Sequence, residues 1–233
     1  MKIEIWSDVV CPFCYIGKRH LESALAEFDH RDDVTVEWHS FQLNPSAPAQ
    51  STESTATMLS SKYGMTLAQA EESNTKMTAN AAAVGLDFHL DQARSGNTRD
   101  VHRLIHLAAD HGLQGAAKER FLAGYFTDGA PIGDHDALTG LAVEVGLDEV
   151  EVRDVLASDR FGDAVDADIA QAHAYGVQGV PFFVFDEKFA VSGAQPVEVF
   201  SEALSQAWAD AHPLPVFAGS PDAGTCTDDS CAV

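Results

Sequence analysis

The chain is poor in basic residues. Its 233 residues include 14 lysines and arginines against 36 aspartates and glutamates, a formal net charge of −22. Such a charge repels phosphate groups, so we expect neither nucleic acid nor an anionic membrane as a partner. The chain also lacks a run of 18 apolar residues, so no membrane span is expected. The first residues show no secretory pattern, which favours a cytoplasmic protein.

Cysteine is also scarce, with four residues in two close pairs, unlike a secreted disulfide scaffold. The first pair, Cys11-Pro12-Phe13-Cys14, follows an alternating β-type segment at 3–8 and opens a helical pattern. There Cys11 faces the free N–H groups and the positive end of the helix dipole, which stabilise a thiolate and lower its pKa. This placement predicts a redox-active dithiol. The alternative is half of a zinc site, which needs a second Cys or His pair at matching spacing.

The pattern along the chain predicts an α/β fold with a long helical interruption. A second strand at 34–41 completes a β-α-β unit, so the two strands should be parallel. Helical patterns then dominate up to 159, and α/β character returns with a hairpin at 180–192 and a closing helix at 196–210. The resulting domain division is 1–48 and 160–212 for the two α/β parts, 49–159 for a helical lid, and 213–233 for a flexible tail.

Four segments carry a family resemblance, in the same order along the chain. They are residues 7–18, Phe41-Gln42-Leu43-Asn44-Pro45, Asn97-Thr98 with His102-Arg103-Leu104, and residues 176–183. The chain resembles the DsbA-like branch of the thioredoxin superfamily, and most of all its FrnE-type members. The resemblance implies a thioredoxin fold with a large all-helical insertion, and thiol-disulfide oxidoreductase activity without a cofactor.

The resemblance also implies a second half of the active site. Pro181 should be cis and lie beside the dithiol, and the backbone of Val180 should pair with a bound peptide. Asn97 and His102 should line the cleft between lid and core. The expected substrates are proteins or peptides that contain cysteine, with a thioredoxin or glutathione system for recycling.

The order of the two cysteines predicts their roles. Cys11 is nearest the helix end and should be the more exposed, so we expect it to be the nucleophile and Cys14 to be the resolving thiol. Pro12 and Phe13 add no positive charge between them. A middling reduction potential follows, which leaves oxidase, reductase and isomerase activity open.

Other polar residues allow two interpretations each. Asp8 could raise the pKa of Cys11 or, as we favour, simply end the strand. Glu37 and His39 share one face of a strand predicted to be interior, and could relay protons or be solvated at an edge. His102 and His106 are four apart on a helix, but no third ligand is near, so we expect helix surface and no metal site. The aromatic residues are expected in the core: Trp6, Trp38, Phe41, Phe182 and Phe183.

The tail carries Cys226 and Cys231 in a polar segment. We expect a second redox pair that exchanges with Cys11 and Cys14; a regulatory disulfide, metal binding or no role are the alternatives.

Two other functions stay open for the whole chain. A glutathione-dependent transferase or isomerase of the kappa type should carry serine at the first cysteine position. A non-catalytic redox sensor or holdase would keep the dithiol without turnover.

Overall fold

A four-stranded sheet holds the two α/β parts of the chain together. The computed structural model describes residues 1–213 and the backbone of 226–227 and 230–231. The strands are β1 (Lys2–Ser7), β2 (Thr35–Ser40), β3 (Phe182–Phe185) and β4 (Phe189–Ser192), in the order β2-β1-β3-β4. β1 and β2 are parallel, and β3 is antiparallel to both β1 and β4. The predicted parallel pair and hairpin are confirmed, but β2 is an edge strand, so its predicted interior position is wrong.

Helices flank the sheet and fill the interruption. Their bounds are α1 (Pro12–Ala26), α2 (Thr55–Tyr63), α3 (Leu67–Ala82), α4 (Arg99–Asp110), α5 (Gln114–Phe126), α6 (His135–Glu144), α7 (Glu149–Leu156), α8 (Gly162–Ala174) and α9 (Val197–Ala211). Side-chain caps begin several of them: Thr66 forms a capping box with Gln69 at α3, and Asp134 and Asp148 cap α6 and α7. This confirms the predicted α/β fold with a helical insertion.

The core connects the sheet to the insertion. Ile3 and Ile5 on β1 belong to one cluster of buried side chains with Leu104 on α4 and Phe121 on α5. On the other part of the sheet Phe183 packs edge-on against Phe200 of α9, with ring centroids 4.7 Å apart. Insertion and sheet therefore share one apolar interior, and α5 lies directly against β2. The exact domain boundaries stay a prediction.

The predicted core aromatics are mostly buried. Trp6, Trp38 and Phe183 are buried, whereas Phe41 and Phe182 are partly buried beside Trp6. Within residues 1–213, no helix has both the length and the apolar character that a membrane crossing requires.

The tail contributes a short antiparallel pair of strands, β5 (Cys226–Thr227) and β6 (Ser230–Cys231). Their backbones place Cys226 opposite Cys231. The side chains of both cysteines lie outside the described residues, so the second redox pair stays a prediction.

Candidate active site

The dithiol lies where β1 turns into α1. Cys11 is the N-cap residue of α1 in an extended conformation, Pro12 is the first helical residue, and the N–H of Cys14 donates to the carbonyl of Cys11 at 3.0 Å. Pro12 fits there because the first helical N–H groups have no helical acceptor. Cys11 is the more accessible cysteine, as predicted, but only 4 % of it is exposed, against 1 % of Cys14. A partner thiol must therefore reach Cys11 through the cavity that it lines.

The loop before β3 forms the second wall. The Val180–Pro181 peptide bond is cis, as expected. The Sγ of Cys11 lies 3.4 Å from the carbonyl oxygen of Val180, to which the thiol donates. Gly17 on α1 permits this approach, since a Cβ there would lie 3.1 Å from Cγ of Pro181 and 3.2 Å from Cζ of Phe183. The structure therefore brings the C-x-x-C motif and the Val180–Pro181 motif into one site.

The surroundings of Cys14 favour its protonated form. Burial, together with the hydrogen bond to Cys11 and the charge of Cys11, raises the pKa of Cys14 well above its ordinary value, and the charge of Lys118 acts in the opposite direction. The Cys14 thiolate therefore forms near neutral pH only if a neighbouring group stabilises it. Among the described residues, Lys118 is the positively charged side chain that favours this ionisation.

Lys118 is a buried lysine contributed by the insertion. It lies on α5, is 1 % exposed, and its ammonium faces the carbonyl of Ser7 at 3.5 Å and the Trp38 ring at 5.5 Å. Burial lowers the pKa of Lys118 to about 8, while the charges of Cys14, Asp8 and Cys11 oppose that shift. A lysine with this pKa can both give and take a proton near neutral pH.

Lys118 was not among the site residues predicted from the sequence. Its neighbours Glu119 and Arg120 are polar, so the local pattern is that of a solvated helix face. Only the packing of α5 on β2 distinguishes Lys118 from them.

Asp8 lies at the end of β1 and is wholly buried. Its carboxylate accepts hydrogen bonds from the N–H groups of Val9 and Leu43, each at 2.8 Å, and from Nε2 of His102 at 3.2 Å. Burial works against ionisation, but the hydrogen bond and charge of His102, with smaller contributions from Leu43 and Lys118, hold the pKa of Asp8 below its ordinary value. Asp8 does follow the last residue of β1, as expected, and its carboxylate also contributes to the charge balance around Lys118.

The two histidines of α4 bind different carboxylates. His102 is buried against Asp8, and burial lowers the pKa of His102. Nε2 of His106 lies 3.0 Å from Oδ2 of Asp168 on α8. The predicted position on the helix surface is wrong for both, since α4 packs against α5, α7 and α8, which leave His102 buried and His106 only partly exposed.

Asn97 and His102 lie behind the cavity wall rather than on it. The Asn97 amide donates to the carbonyls of Pro45 and Ala47 at 3.0 and 3.2 Å and accepts from Gln42 at 3.0 Å. The expectation that these two residues line the cleft is wrong. They instead hold residues that do line it, namely Ala47 and Asp8.

The cavity beside Cys11 has a volume of about 960 Å³ and extends between the dithiol and helices α2 and α3. Met58, Met65 and Met77 line it, and these are three of the four methionines in the chain. Methionine is flexible and polarisable, and it suits surfaces that adapt to different apolar ligands. Among the described lining residues, Lys62 is the one lysine or arginine.

Comparison with known proteins places this site in context. Residues 2–205 match the family described as DSBA-like thioredoxin domain. A probable DsbA oxidoreductase from Streptomyces coelicolor is 45 % identical, with a TM-score of 0.88 over 100 % of this chain and 99 % of its own. The Bacillus subtilis protein YwbO is 30 % identical over 206 residues, which are 87 % of this chain and 95 % of YwbO.

A more distant structure shares the fold alone. The cytosolic disulfide reductase DsbM from Pseudomonas aeruginosa, solved with GSH, is 16 % identical, with a TM-score of 0.62 over 88 % of this chain and 98 % of its own. The matches confirm the predicted thioredoxin fold with its helical insertion and the DsbA-like resemblance. The FrnE-type subdivision stays a prediction.

Proposed function

Because the chain belongs to the DSBA-like thioredoxin domain family, we propose that it is a thiol-disulfide oxidoreductase acting on protein or peptide cysteines through Cys11 and Cys14. The observation that carries the proposal is the asymmetry of the pair. Cys11 lines the cavity within 3.4 Å of the Val180 carbonyl oxygen, whereas Cys14 lies behind it near a buried ammonium group.

The exchange proceeds through a mixed disulfide. A substrate thiolate attacks Sγ of Cys11 in the oxidised enzyme, the Cys11–Cys14 bond breaks, and Cys14 leaves as a thiolate. Lys118, with a pKa of about 8, gives a proton to that thiolate. The second substrate thiolate then attacks the substrate sulfur, Cys11 leaves, and the substrate disulfide is formed as the enzyme becomes a dithiol. In the reductive direction the same atoms move in reverse, and Lys118 takes the proton from Cys14.

The cavity favours an apolar peptide segment over glutathione as the group next to the reacting sulfur. Glutathione carries two carboxylates and an ammonium group, and Lys62 is the one basic residue described in the lining, beside the acidic residues Asp8 and Glu53. The three methionines instead offer an adaptable apolar wall. We propose that the substrates are cysteines flanked by bulky apolar residues, in proteins that expose them.

The kappa-type alternative is the weaker one. That resemblance requires a serine at the first cysteine position, and this chain has Cys11 there with Cys14 behind it. The net direction follows from the potential, which we expect between roughly −270 mV and −120 mV, the values of thioredoxin and DsbA.

The first experiment compares insulin reduction, refolding of scrambled ribonuclease, and glutathione conjugation to an aromatic electrophile. We expect wild type to be active in one or both of the disulfide assays and Cys11→Ser to be inactive in them. Conjugation without disulfide exchange would establish the kappa-type function instead. Binding of unfolded protein with no turnover would establish the sensor or holdase.

A second experiment tests the substrate class. Two disulfide peptides of equal length, one with leucine and one with glutamate beside the cysteine, are compared in wild type, Met77→Gln and the control Val150→Gln, whose side chain is exposed outside the cavity. We expect wild type to have a lower KM for the leucine peptide than for the glutamate peptide. Met77→Gln should raise the KM for the leucine peptide with little change in kcat, and Val150→Gln should match wild type. Equal KM values for both peptides in wild type would contradict the apolar preference.

A further inference from the structure

A second cluster of titratable side chains lies on the sheet, and none of its members lines the dithiol cavity. We propose that Glu4, Glu37 and His39 bind a divalent cation of the zinc type. One ligand atom from each residue lies within 4.8 Å of the others, so a small rotation of the half-exposed Glu37 side chain would bring all three to the bond lengths of about 2.0–2.2 Å that zinc requires. The site uses residues for which the exchange reaction has no role.

Strand register brings the three residues together. Glu4 on β1 lies directly opposite Glu37 on β2, and His39 follows two positions later on the same face. Like charges directly opposite each other destabilise a strand pair. Glu4 is also 3 % exposed, and burying a carboxylate is costly unless a positive group compensates it. A cation between the two strands would remove both penalties.

Two buried atoms point into this space without a partner. Oε2 of Glu4 and Nε2 of His39 have no hydrogen bond within the described part of the chain. Nε2 of His39 lies 3.4 Å from the other Glu4 oxygen. Two lone pairs that face each other at this distance repel unless a proton or a metal ion lies between them.

The imidazole of His39 is held as a metal-binding histidine usually is. Its Nδ1 lies 2.7 Å from Oδ1 of Asp168, and the ring stacks on Trp6 with centroids 4.5 Å apart. We assign the proton to Nδ1 from this contact, which leaves the Nε2 lone pair directed at Glu4. A carboxylate behind the imidazole fixes the ring and strengthens it as a ligand.

The donor set indicates the type of ion. One imidazole nitrogen and two carboxylate oxygens match zinc and similar divalent ions better than calcium, which takes six to eight oxygens. Glu37 is half-exposed, so an ion can reach the site from solvent. The net charge of −22 favours cations near the surface.

The ammonium group of Lys2 would compete with a divalent cation for the carboxylates of Glu4 and Glu37. This ammonium lies 3.1 Å from Glu4 and 3.7 Å from Glu37, and so neutralises part of the charge when no ion is bound. The side chain is partly exposed on a flexible stem, and it can leave toward solvent when a divalent ion arrives.

The test is zinc titration by calorimetry of the full chain with all four cysteines changed to serine, so that thiolates contribute nothing. We expect one equivalent to bind. His39→Ala and Glu37→Gln should each weaken binding about tenfold or more, Asp168→Asn should weaken it about 10- to 100-fold, and Lys2→Met should strengthen it. Glu37→Gln should keep the fold, because that side chain is half-exposed. Weaker binding by this variant therefore reports loss of a ligand and not misfolding.

The matched control is His89→Ala, an exposed histidine 3.2 Å from Asp87, which should bind zinc as the parent does. Absence of binding in the parent would overturn the proposal. Binding that survives both His39→Ala and Glu37→Gln unchanged would place the ion elsewhere and overturn it equally. Because the parent lacks the dithiol, either result leaves the proposed exchange reaction untouched.

Discussion

The Sγ of Cys11 lies 3.4 Å from the carbonyl oxygen of Val180, although 169 positions separate the two residues in the chain. The loop that ends in Val180 therefore bounds the space into which a substrate sulfur must come. Behind this contact lie Cys14 and Lys118, which face the attacking group from the protein interior. The substrate therefore reaches Cys11 from the cavity, whereas Cys14 and Lys118 act on the reaction from the interior side.

Cys14→Ser is expected to trap the substrate as a mixed disulfide on Cys11, because no second thiol remains to release it. Cys11→Ser should abolish turnover and trap nothing. Non-reducing gels and mass spectrometry of each variant with the leucine peptide measure both results. Trapping by Cys11→Ser instead of Cys14→Ser would reverse the two roles.

Lys118→Met is expected to slow the step that uses the Cys14 thiolate by about tenfold or more. The charge of Lys118 lowers the pKa of Cys14, so its removal raises that pKa further. The pH at which the step reaches half its maximal rate should therefore move upward. Stopped-flow release of a preformed mixed disulfide, measured across pH 6 to 10, reports this shift.

Two further variants make the Lys118 result specific. Lys76→Met removes an exposed lysine that forms an ion pair with Glu72, and its pH profile should match wild type. Lys118→Arg keeps the charge but cannot release a proton near neutral pH. A slow Lys118→Arg with an unshifted profile would assign proton transfer to Lys118, whereas an unshifted Lys118→Met would exclude any role for its charge.

Asp8→Asn is expected to destabilise the fold by about 2 kcal/mol at pH 6, because an amide cannot accept all the hydrogen bonds that the carboxylate accepts. The folded pKa of Asp8 lies below its ordinary value. Its charge therefore contributes stability that is fully present above the ordinary pKa and is lost as the pH falls through the folded pKa. Urea unfolding should show a gap between wild type and variant that narrows from pH 6 to pH 3.

The exposed pair of Asp87 and His89 is the control for this prediction. Its Oδ1–Nε2 distance is 3.2 Å, the same as between Asp8 and His102, but both side chains are exposed. Asp87→Asn should change the free energy of unfolding by less than about 0.5 kcal/mol at either pH. An equal loss of unfolding free energy in Asp8→Asn and Asp87→Asn would mean that the burial of Asp8 does not strengthen the contribution of its carboxylate to stability.

Gly133→Ala is expected to destabilise the protein by roughly 3 kcal/mol and to weaken binding of the leucine peptide. A Cβ at Gly133 would lie 1.5 Å from the carbonyl oxygen of Ala49, so the segment that follows the cavity residue Ala47 must move. Gly140→Ala, in open space on α6, should instead stabilise by about 0.5–1 kcal/mol. Thermal unfolding compares the two; a harmless Gly133→Ala would contradict the close approach.

Short-range patterns were enough to predict most of the fold. The alternation before Cys11 predicted β1, the change of period predicted α1, and the helical patterns up to 159 predicted the insertion. The contact between Cys11 and the loop before β3 came from a family resemblance, since no local pattern links segments that far apart.

The remainder depended on long-range packing. Lys118 and His102 look like surface residues because the neighbouring residues on their helices include polar ones. They are buried only because α5 lies against β2 and because α4 is packed among α5, α7 and α8. The edge position of β2 likewise depends on which side of β1 the later strand β3 occupies. Strand order is a property of the assembled sheet, so the pattern within β2 could not reveal it.

The distance along the chain between Cys11 and Val180 also has a consequence during synthesis. At about 5–20 residues per second, a ribosome needs roughly 10 to 30 s to travel from one to the other. Cys11 and Cys14 therefore exist in the nascent chain before Lys118 and Val180 have been made. In that interval any oxidation of the pair is governed by the first turn of α1 alone, and the finished protein acquires its control over the dithiol only after translation has passed β3.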